Sequence, residues 1–231
     1  MIPIGTLFNV FMVVLGSSIG LLFKKLISSE FNKKVFFVMG LFTVVLGMSM
    51  AIKSEDFILV FLSIVVGVII GEHYSLDNSI KLLIDKLKLS INVSDDSFTD
   101  GLITAFLLFC IGSMTIVGAI DEGLGKEPNI LYTKAVMDGV SSIILASTFG
   151  LGVLFSIFPM MIFQGGITMI VFYYKDIASP ELINNISAVG GVLIIAMGFK
   201  LLGYKKINPT NLLPSLIVVC VLLLIKQHII Y

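Results

Sequence analysis

Arginine is absent from this chain: its fifteen basic residues are all lysine. Without guanidinium forks there is no bidentate grip on phosphate or carboxylate, and nucleic acid drops out as a partner. Charge of either sign is scarce, at 13% of residues against about a quarter in soluble domains, and fifteen acids balance fifteen bases. Cysteine is nearly missing too. Cys110 and Cys220 both fall within apolar runs, where a thiol behaves as a small hydrophobe, so a disulfide framework is excluded. The two histidines, His73 and His228, stand at segment ends with no partner at ligand spacing. No metal or cofactor site is expected from them.

What is present in excess is apolar sequence: 57% hydrophobic residues and a mean hydropathy of +1.08. The apolar runs suit helices of about 20 residues, and the alternation of about ten-residue strands that marks a membrane barrel is not seen. The expected fold is an all-α polytopic transmembrane helical bundle, a single integral membrane domain over residues 1–231, with the lipid bilayer as its main partner.

Hydropathy divides the chain into about eight spans. They run near Ile4 to Phe23, Val35 to Ile52, Phe57 to Gly71, Gly101 to Ile120, Ala135 to Ile157, Pro159 to Tyr174, Ile183 to Leu202 and Leu212 to Ile225. The fifth and sixth come from dividing a forty-residue run at Phe158 and Pro159; left as one crossing, that run gives seven. Lys24, Lys25, Lys33 and Lys34 form the densest basic cluster, and short lysine-rich loops stay cytoplasmic. This places the N-terminus outside, with the first helix retained. Eight spans put the second cluster, Lys200, Lys205 and Lys206, in the cytoplasm as well. Residues 74–90 read differently: Leu76, Ile80, Leu83, Ile84 and Leu87 hold one face and charges hold the rest. That is an amphipathic helix lying along the cytoplasmic membrane surface, with Asp77 and Lys81 as an i, i+4 pair. Asn92 to Asp100 reads as a polar linker, with Ser97 or Thr99 suited to cap the next helix.

Chemistry concentrates between Phe109 and Gly166. Asp138 is the one acid inside the long run from Ala135 to Tyr174, and an ionised carboxylate at mid-bilayer costs about 2.5–3.5 kcal/mol on insertion scales. Such residues face protein or a water-filled cavity. Lys134 lies one turn earlier, so Asp138 is either a binding group or a shallow acid paired locally. Ser141, Ser142 and Thr148 follow at helical steps, to line a path or to bond the carbonyl one turn back. Gln164, Gly165 and Gly166 interrupt the sixth span, as a broken helix whose freed backbone groups coordinate an ion or as a tight helix crossing. Ser113 and Thr115 lie in the fourth span. Asp121 and Glu122 sit at its C-terminal end, where acids oppose the helix dipole and call for solvent, lysine or a bound cation. Asn9 in the first span completes the candidates, as a pathway ligand or a bond to a neighbouring helix.

Glycines recur in register. Gly16 and Gly20 are spaced for close helix approach, and Gly40 with Gly47 matches Gly191 with Gly198. The opening IPIGTLFN loosely parallels FPMMIFQGG, pairing Asn9 with Gln164. Spans one to three and six to eight therefore form a candidate inverted repeat around a central pair, an arrangement that in transporters places sites where the repeats meet.

At CIGSMTIVGAIDEGL, KAVMDG, STFGLGVLFS, FQGG and NLLPSL the sequence resembles a bacterial inner-membrane family of unknown function, the YqgA type, over essentially the whole chain. The resemblance implies a multi-pass protein of the bacterial cytoplasmic (inner) membrane. It brings the description of members as sodium channels or pumps and, in one lineage, an association with biofilm formation. It supplies no catalytic residues. Function is thus expected to be a small-solute or cation (Na+ or H+ coupled) transporter or channel, with a small cation as partner and as a homo-oligomer. The alternative is a non-transporting scaffold or regulator whose glycines serve oligomer packing and whose 74–90 helix meets a partner protein. An intramembrane enzyme is not expected: neither histidine lies within a span to act as base, and Asp138 has no second intramembrane aspartate to form a dyad.

Overall fold

The computed structural model describes residues 2–23, 29–90, 93, 95, 97–174, 179–204 and 208–230, leaving aside the side chains of residues 29, 31, 32, 35, 36, 113 and 227–230. Lys24, Lys25, Lys205 and Lys206 of the two basic clusters, the Lys175 and Asp176 loop, Asn92 of the linker and the side chain of Ser113 lie outside that description. The described chain is helical: α1 (Ile4–Phe23), α2 (Ser29–Ala51), α3 (Phe57–His73), α4 (Leu76–Ser90), α5 (Phe98–Cys110), α6 (Ser113–Gly123), α7 (Asn129–Phe149), α8 (Leu151–Phe155), α9 (Ile157–Tyr173), α10 (Pro180–Leu201) and α11 (Ser215–Ile230), with a 3-10 turn at Pro209–Leu212. Five segments are long and apolar enough to cross a membrane, and seven if each of two bent pairs counts as one crossing. The apolar Phe37–Ala51 part of α2 is shorter. The protein is an all-α polytopic membrane bundle.

Helix starts follow local capping. Asp56 accepts the Leu59 N–H at 2.9 Å to begin α3, and Ser179 accepts the Leu182 N–H at 3.1 Å with Pro180 in the first turn of α10. Ser97 is the N-cap residue of α5, yet its hydroxyl turns to Asp95 and to the Phe149 carbonyl instead of the helix. The α3–α4 corner bends by 56° through Ser75, whose φ is +46°.

Three expectations change. The fourth span is not one helix: α5 and the Met114–Gly123 part of α6 meet at 59°, with Gly112 as N-cap of α6 in an extended conformation. The sixth is not interrupted: α9 runs unbroken through Gln164, Gly165 and Gly166. The reason is local. A glycine pair removes side-chain contacts but still permits helical φ/ψ, and hydrogen bonding on either side carries the helix through. The division expected at Phe158 and Pro159 falls at Gly150 and Ser156, because Gly150 takes φ +73°, ψ −145°, a region closed to other residues, while Pro159 fits the first turn of α9.

The chain forms two compact units, Met1–Val35 with Asp85–Ala178, and Phe36–Ile84 with Ser179–Tyr231. In the first, α1 runs parallel to α7: Gly5 lies on Leu131, Gly16 on the Gly139 backbone and Ser142, and Gly20 on the Ile143 backbone and Ala146. The spacing read as small-xxx-small is therefore used, and no side chain fits at Gly16. In the second unit, α2 and α10 cross antiparallel, Gly47 on Gly191 and Gly40 on Gly198 and Leu202. Likewise α3 and α11 are antiparallel, Gly67 meeting Ser215 and Gly71 meeting Asn211. Two glycine pairs seven residues apart, noted in sequence as a repeat, turn out to face each other.

Candidate functional site

The first unit holds a polar cluster inside apolar packing. One face of α7 carries Lys134, Asp138, Ser142 and Leu145, all buried. Asp138 is 4% exposed and Lys134 6%. The two form an ion pair one helical turn apart. The other Asp138 oxygen accepts Asn9 Nδ2 from α1 at 3.1 Å, and the same Asn9 nitrogen donates to Gln164 Oε1 on α9 at 3.1 Å. A row of groups, Lys134, Asp138, Asn9 and Gln164, thus links three helices. Its orientation is forced: a carboxylate only accepts, so Asn9 presents its amide nitrogen to Asp138, and Gln164 in turn presents its oxygen to Asn9.

That forcing leaves atoms without partners. Asn9 Oδ1, Gln164 Nε2 and Thr6 Oγ1 are buried and have no hydrogen bond. Thr6 and Asn9 stand at i, i+3 on one face of α1. Buried polar groups are almost always bonded, so these three atoms are exceptions, as are the Ser17, Ser187 and Ser215 hydroxyls elsewhere. A Cβ at the buried Gly165 would be in ordinary contact with Thr6 Cγ2 at 3.8 Å and Pro3 Cγ at 3.9 Å, and the half-buried Gly166 has nothing within 4 Å.

The α5–α6 break lies against the same cluster. Carbonyls in the last turn of a helix lack intrahelical partners. Here the Phe109 carbonyl accepts Thr115 Oγ1 at 2.7 Å and Lys134 Nζ at 3.3 Å, and the Lys134 ammonium also stands 5.7 Å from the centre of the Phe109 ring. Glu122, 2% exposed, accepts the Gly5 N–H at 2.6 Å with Oε1 and faces Thr168 Oγ1 at 3.3 Å with Oε2. A carboxylate at the amino end of α1 offsets the helix dipole. The buried formal charges of this cluster are therefore Lys134 against Asp138 and Glu122.

The sequence candidates separate cleanly. Asp138, Asn9, Gln164, Gly165, Thr115 and Glu122 converge. Ser142 donates to the Gly139 carbonyl at 2.7 Å and serves the α1 contact, and Thr148 donates to the Ile144 carbonyl at 3.0 Å, the local role. Ser141 is half-buried and outside the cluster. Asp121 pairs with Lys126 at 2.7 Å, apart from its neighbour Glu122. Thr168, Thr6 and the Phe109 carbonyl were not among the candidates. Thr168 lies one turn beyond Gln164, a spacing that was legible; the Phe109 carbonyl carries no sequence signal.

In the second unit, a cleft of about 640 Å³ is lined by Ser54, Asp56, Glu181, Asn185 and Lys226 among others. Lys226 bonds Asp56 at 2.8 Å and Glu181 at 3.3 Å, and Ser54 donates to Asn185 at 2.7 Å. These pairings leave no orphaned atom of the kind found in the first unit among the groups named.

The model of the family described as "Protein of unknown function (DUF554)" matches residues 4–224. The chain belongs to this family. It is 36% identical over 218 residues to "Uncharacterized membrane protein YdfK" of Bacillus subtilis (strain 168), covering 93% of each chain. It is 26% identical over 219 residues to "Uncharacterized protein YqgA" of Escherichia coli (strain K12), again covering 93% of each. No solved structure matches. The chain is thus a multi-pass bacterial membrane protein, and the match runs through the broken α5–α6 segment and the whole polar cluster.

Proposed function

We propose that this protein moves a small cation across the bacterial cytoplasmic membrane, as a transporter or channel, with the Asp138 cluster as its binding place. The observation that carries this reading is the buried Lys134–Asp138 pair continued by Asn9 and Gln164, with Asn9 Oδ1, Gln164 Nε2 and Thr6 Oγ1 left unpaired around it. Intramembrane ionisable groups are costly and mark pathways. The adjoining helix break, with its Phe109 carbonyl turned to a cation, has the form of a transporter ion site.

Packing directions support eight crossings. Five long segments, two bent pairs and the apolar part of α2 supply them. An antiparallel α2 and α10 requires that the chain between them cross an even number of times, which α3, α5–α6, α7 and α9 satisfy and a seven-span path does not. Parallel α1 and α7 fit the same order. The pairs α2 with α10 and α3 with α11, and the Asn9–Gln164 bond between α1 and α9, are consistent with an inverted repeat of spans one to three and six to eight. The Lys24 to Lys34 cluster favours an external N-terminus.

The direct test uses purified protein in liposomes. Uptake of radiolabelled Na+, Li+ or K+ along an imposed gradient is expected in wild type and is expected to fall at least tenfold in Asp138→Asn; unchanged flux in that variant removes the assignment. A scaffold role rests on Leu82, Leu83 and Leu89, exposed on α4 where lipid or a partner could cover them. Under that reading no cation moves, and a crosslinked partner is lost in Leu83→Glu.

A further inference from the structure

We infer that the cleft at the Asp56 end of the second unit binds a small organic dication, two alkylammonium groups joined by a short hydrocarbon chain. The site lies outside the Asp138 cluster and does not depend on transport through it. At about 640 Å³ the cleft falls within the usual range of small-molecule pockets, about 300–1,000 Å³. Three places in the chain build its wall: Ser54 to Ile58 at the α2–α3 corner, Glu181, Asn184 and Asn185 in the first turns of α10, and Lys226 on α11. Hydrogen bonds fix the first two against each other. Ser54, 2% exposed, donates to Asn185 Oδ1 at 2.7 Å and accepts the Asp56 N–H at 3.0 Å, while Asn185 Nδ2 donates to the Glu181 carbonyl at 2.9 Å.

The cleft already holds one alkylammonium, its own. Lys226 reaches from α11 and sets its Nζ between Asp56 Oδ2 at 2.8 Å and Glu181 Oε1 at 3.3 Å. An ammonium with three donors is suited to bridging carboxylates in this way. One ammonium against the lining carboxylates of Glu55, Asp56 and Glu181 leaves an excess of two negative charges. Among the described residues the Glu55 and Asn184 side chains make no hydrogen bond or ion pair, so a carboxylate and an amide face the cleft without a protein partner. The form of the ligand follows from what else is present. No group of three or more Asp, Glu, His or Cys side chains among the described residues could hold a metal ion, so the three carboxylates serve separate points and not one compact centre. Phe57 and Ile58, 62% and 74% exposed, edge the same cleft with hydrocarbon, for which an inorganic ion has no use. Two charges held apart by methylenes use both features: the ammonium groups answer the carboxylates and the chain lies on the apolar edge.

The experiment titrates purified full-length protein in detergent, at fixed ionic strength, with 1,4-diaminobutane and follows binding by calorimetry; 1-aminobutane and MgCl2 are the comparisons. Wild type is expected to bind one diamine per chain, saturably and about tenfold or more tightly than either comparison. In Glu55→Gln, which removes a carboxylate that ties no other element, affinity is expected to fall about tenfold with the melting temperature unchanged. In Lys226→Met, which frees Asp56 and Glu181 for the ligand, affinity is expected to rise by a similar factor. Absence of saturable binding in wild type overturns the site, and so does binding that Glu55→Gln leaves as tight as wild type. Weaker binding in a folded Lys226→Met overturns the claim that ligand and lysine seek the same carboxylates. Mg2+ or 1-aminobutane binding as tightly as the diamine overturns the paired, separated charges. Wild type and Glu55→Gln decide the matter even where Lys226→Met does not fold. Each readout is binding of the diamine, so failure of cation flux at the Asp138 cluster leaves this result standing, and the reverse holds.

Discussion

The Lys134–Asp138 pair sets the stakes at the scale of single residues. Removing one partner from a buried pair strands the other in low dielectric and costs about 3–5 kcal/mol, whereas replacing both with apolar side chains is often neutral. Asp138→Ala is therefore expected to lower the melting temperature in detergent sharply, and Lys134→Met with Asp138→Leu to recover most of that loss while carrying no cation flux. Equal melting of the single and double variants would show that the pair is not coupled. At the other unit, Lys226 beside Asp56 and the Leu59 N–H hold the Asp56 carboxyl below the usual carboxylate range. A group lowered on folding contributes stability that is fully present above about pH 4 and fades as pH falls through its lowered value. Thermal stability is expected to drop on that acid limb, and the drop to shrink in Asp56→Asn. The partly exposed position keeps the effect small.

Among the elements, glycine positions that look alike in sequence carry different demands. At Gly16 a Cβ would overlap the Gly139 backbone, so Gly16→Val should cost at least about 1–3 kcal/mol and loosen α1 from α7. Gly112 has an ordinary φ of −71° and the nearest atom to an added Cβ, Lys134 Cε, is 3.6 Å away. Gly112→Ala should cost less than about 1 kcal/mol, mostly from the poorer N-cap. Comparing the two melting temperatures separates crossing glycines from a capping glycine. The same contrast explains what was readable beforehand. Length, hydropathy and small-residue spacing located α1, α2, α3, α10 and α11 within a few residues, because a membrane span is specified by composition. The α5–α6 break was not readable, since Gly112 sits in CIGSMT among residues that equally well continue a helix; in the structure the Phe109 carbonyl at the break is taken up by Thr115 and Lys134. Burial of Glu122 beside an Asp121 that is half-buried and paired with Lys126 was hidden for a similar reason: adjacent acids on one helix point about 100° apart, and only the arrival of α1 tells them apart.

For the molecule as a whole, the packing directions turn into a statement about sides. In the second unit Asp56, Glu181 and Lys226 share one end through their ion pairs, and Glu72 and Asn211 share another through the 2.8 Å bond from Asn211 Nδ2 to Glu72 Oε1. On the proposed topology, an external N-terminus and eight crossings, the Asp56 end is expected outside and the Glu72 end in the cytoplasm. In a chain with Cys110 and Cys220 replaced by alanine, single cysteines at Glu55 and Glu127 should react with an impermeant maleimide on whole cells. Cysteines at Glu72 and Tyr204 should react only after the membrane is opened. A seven-crossing path moves Tyr204 to the outside while leaving Glu55, Glu127 and Glu72 where they are, so labelling of Tyr204→Cys on intact cells would reject both the eight-span order and the inverted repeat built on it. Reversal of all four would keep the order and overturn only the orientation drawn from the lysine cluster.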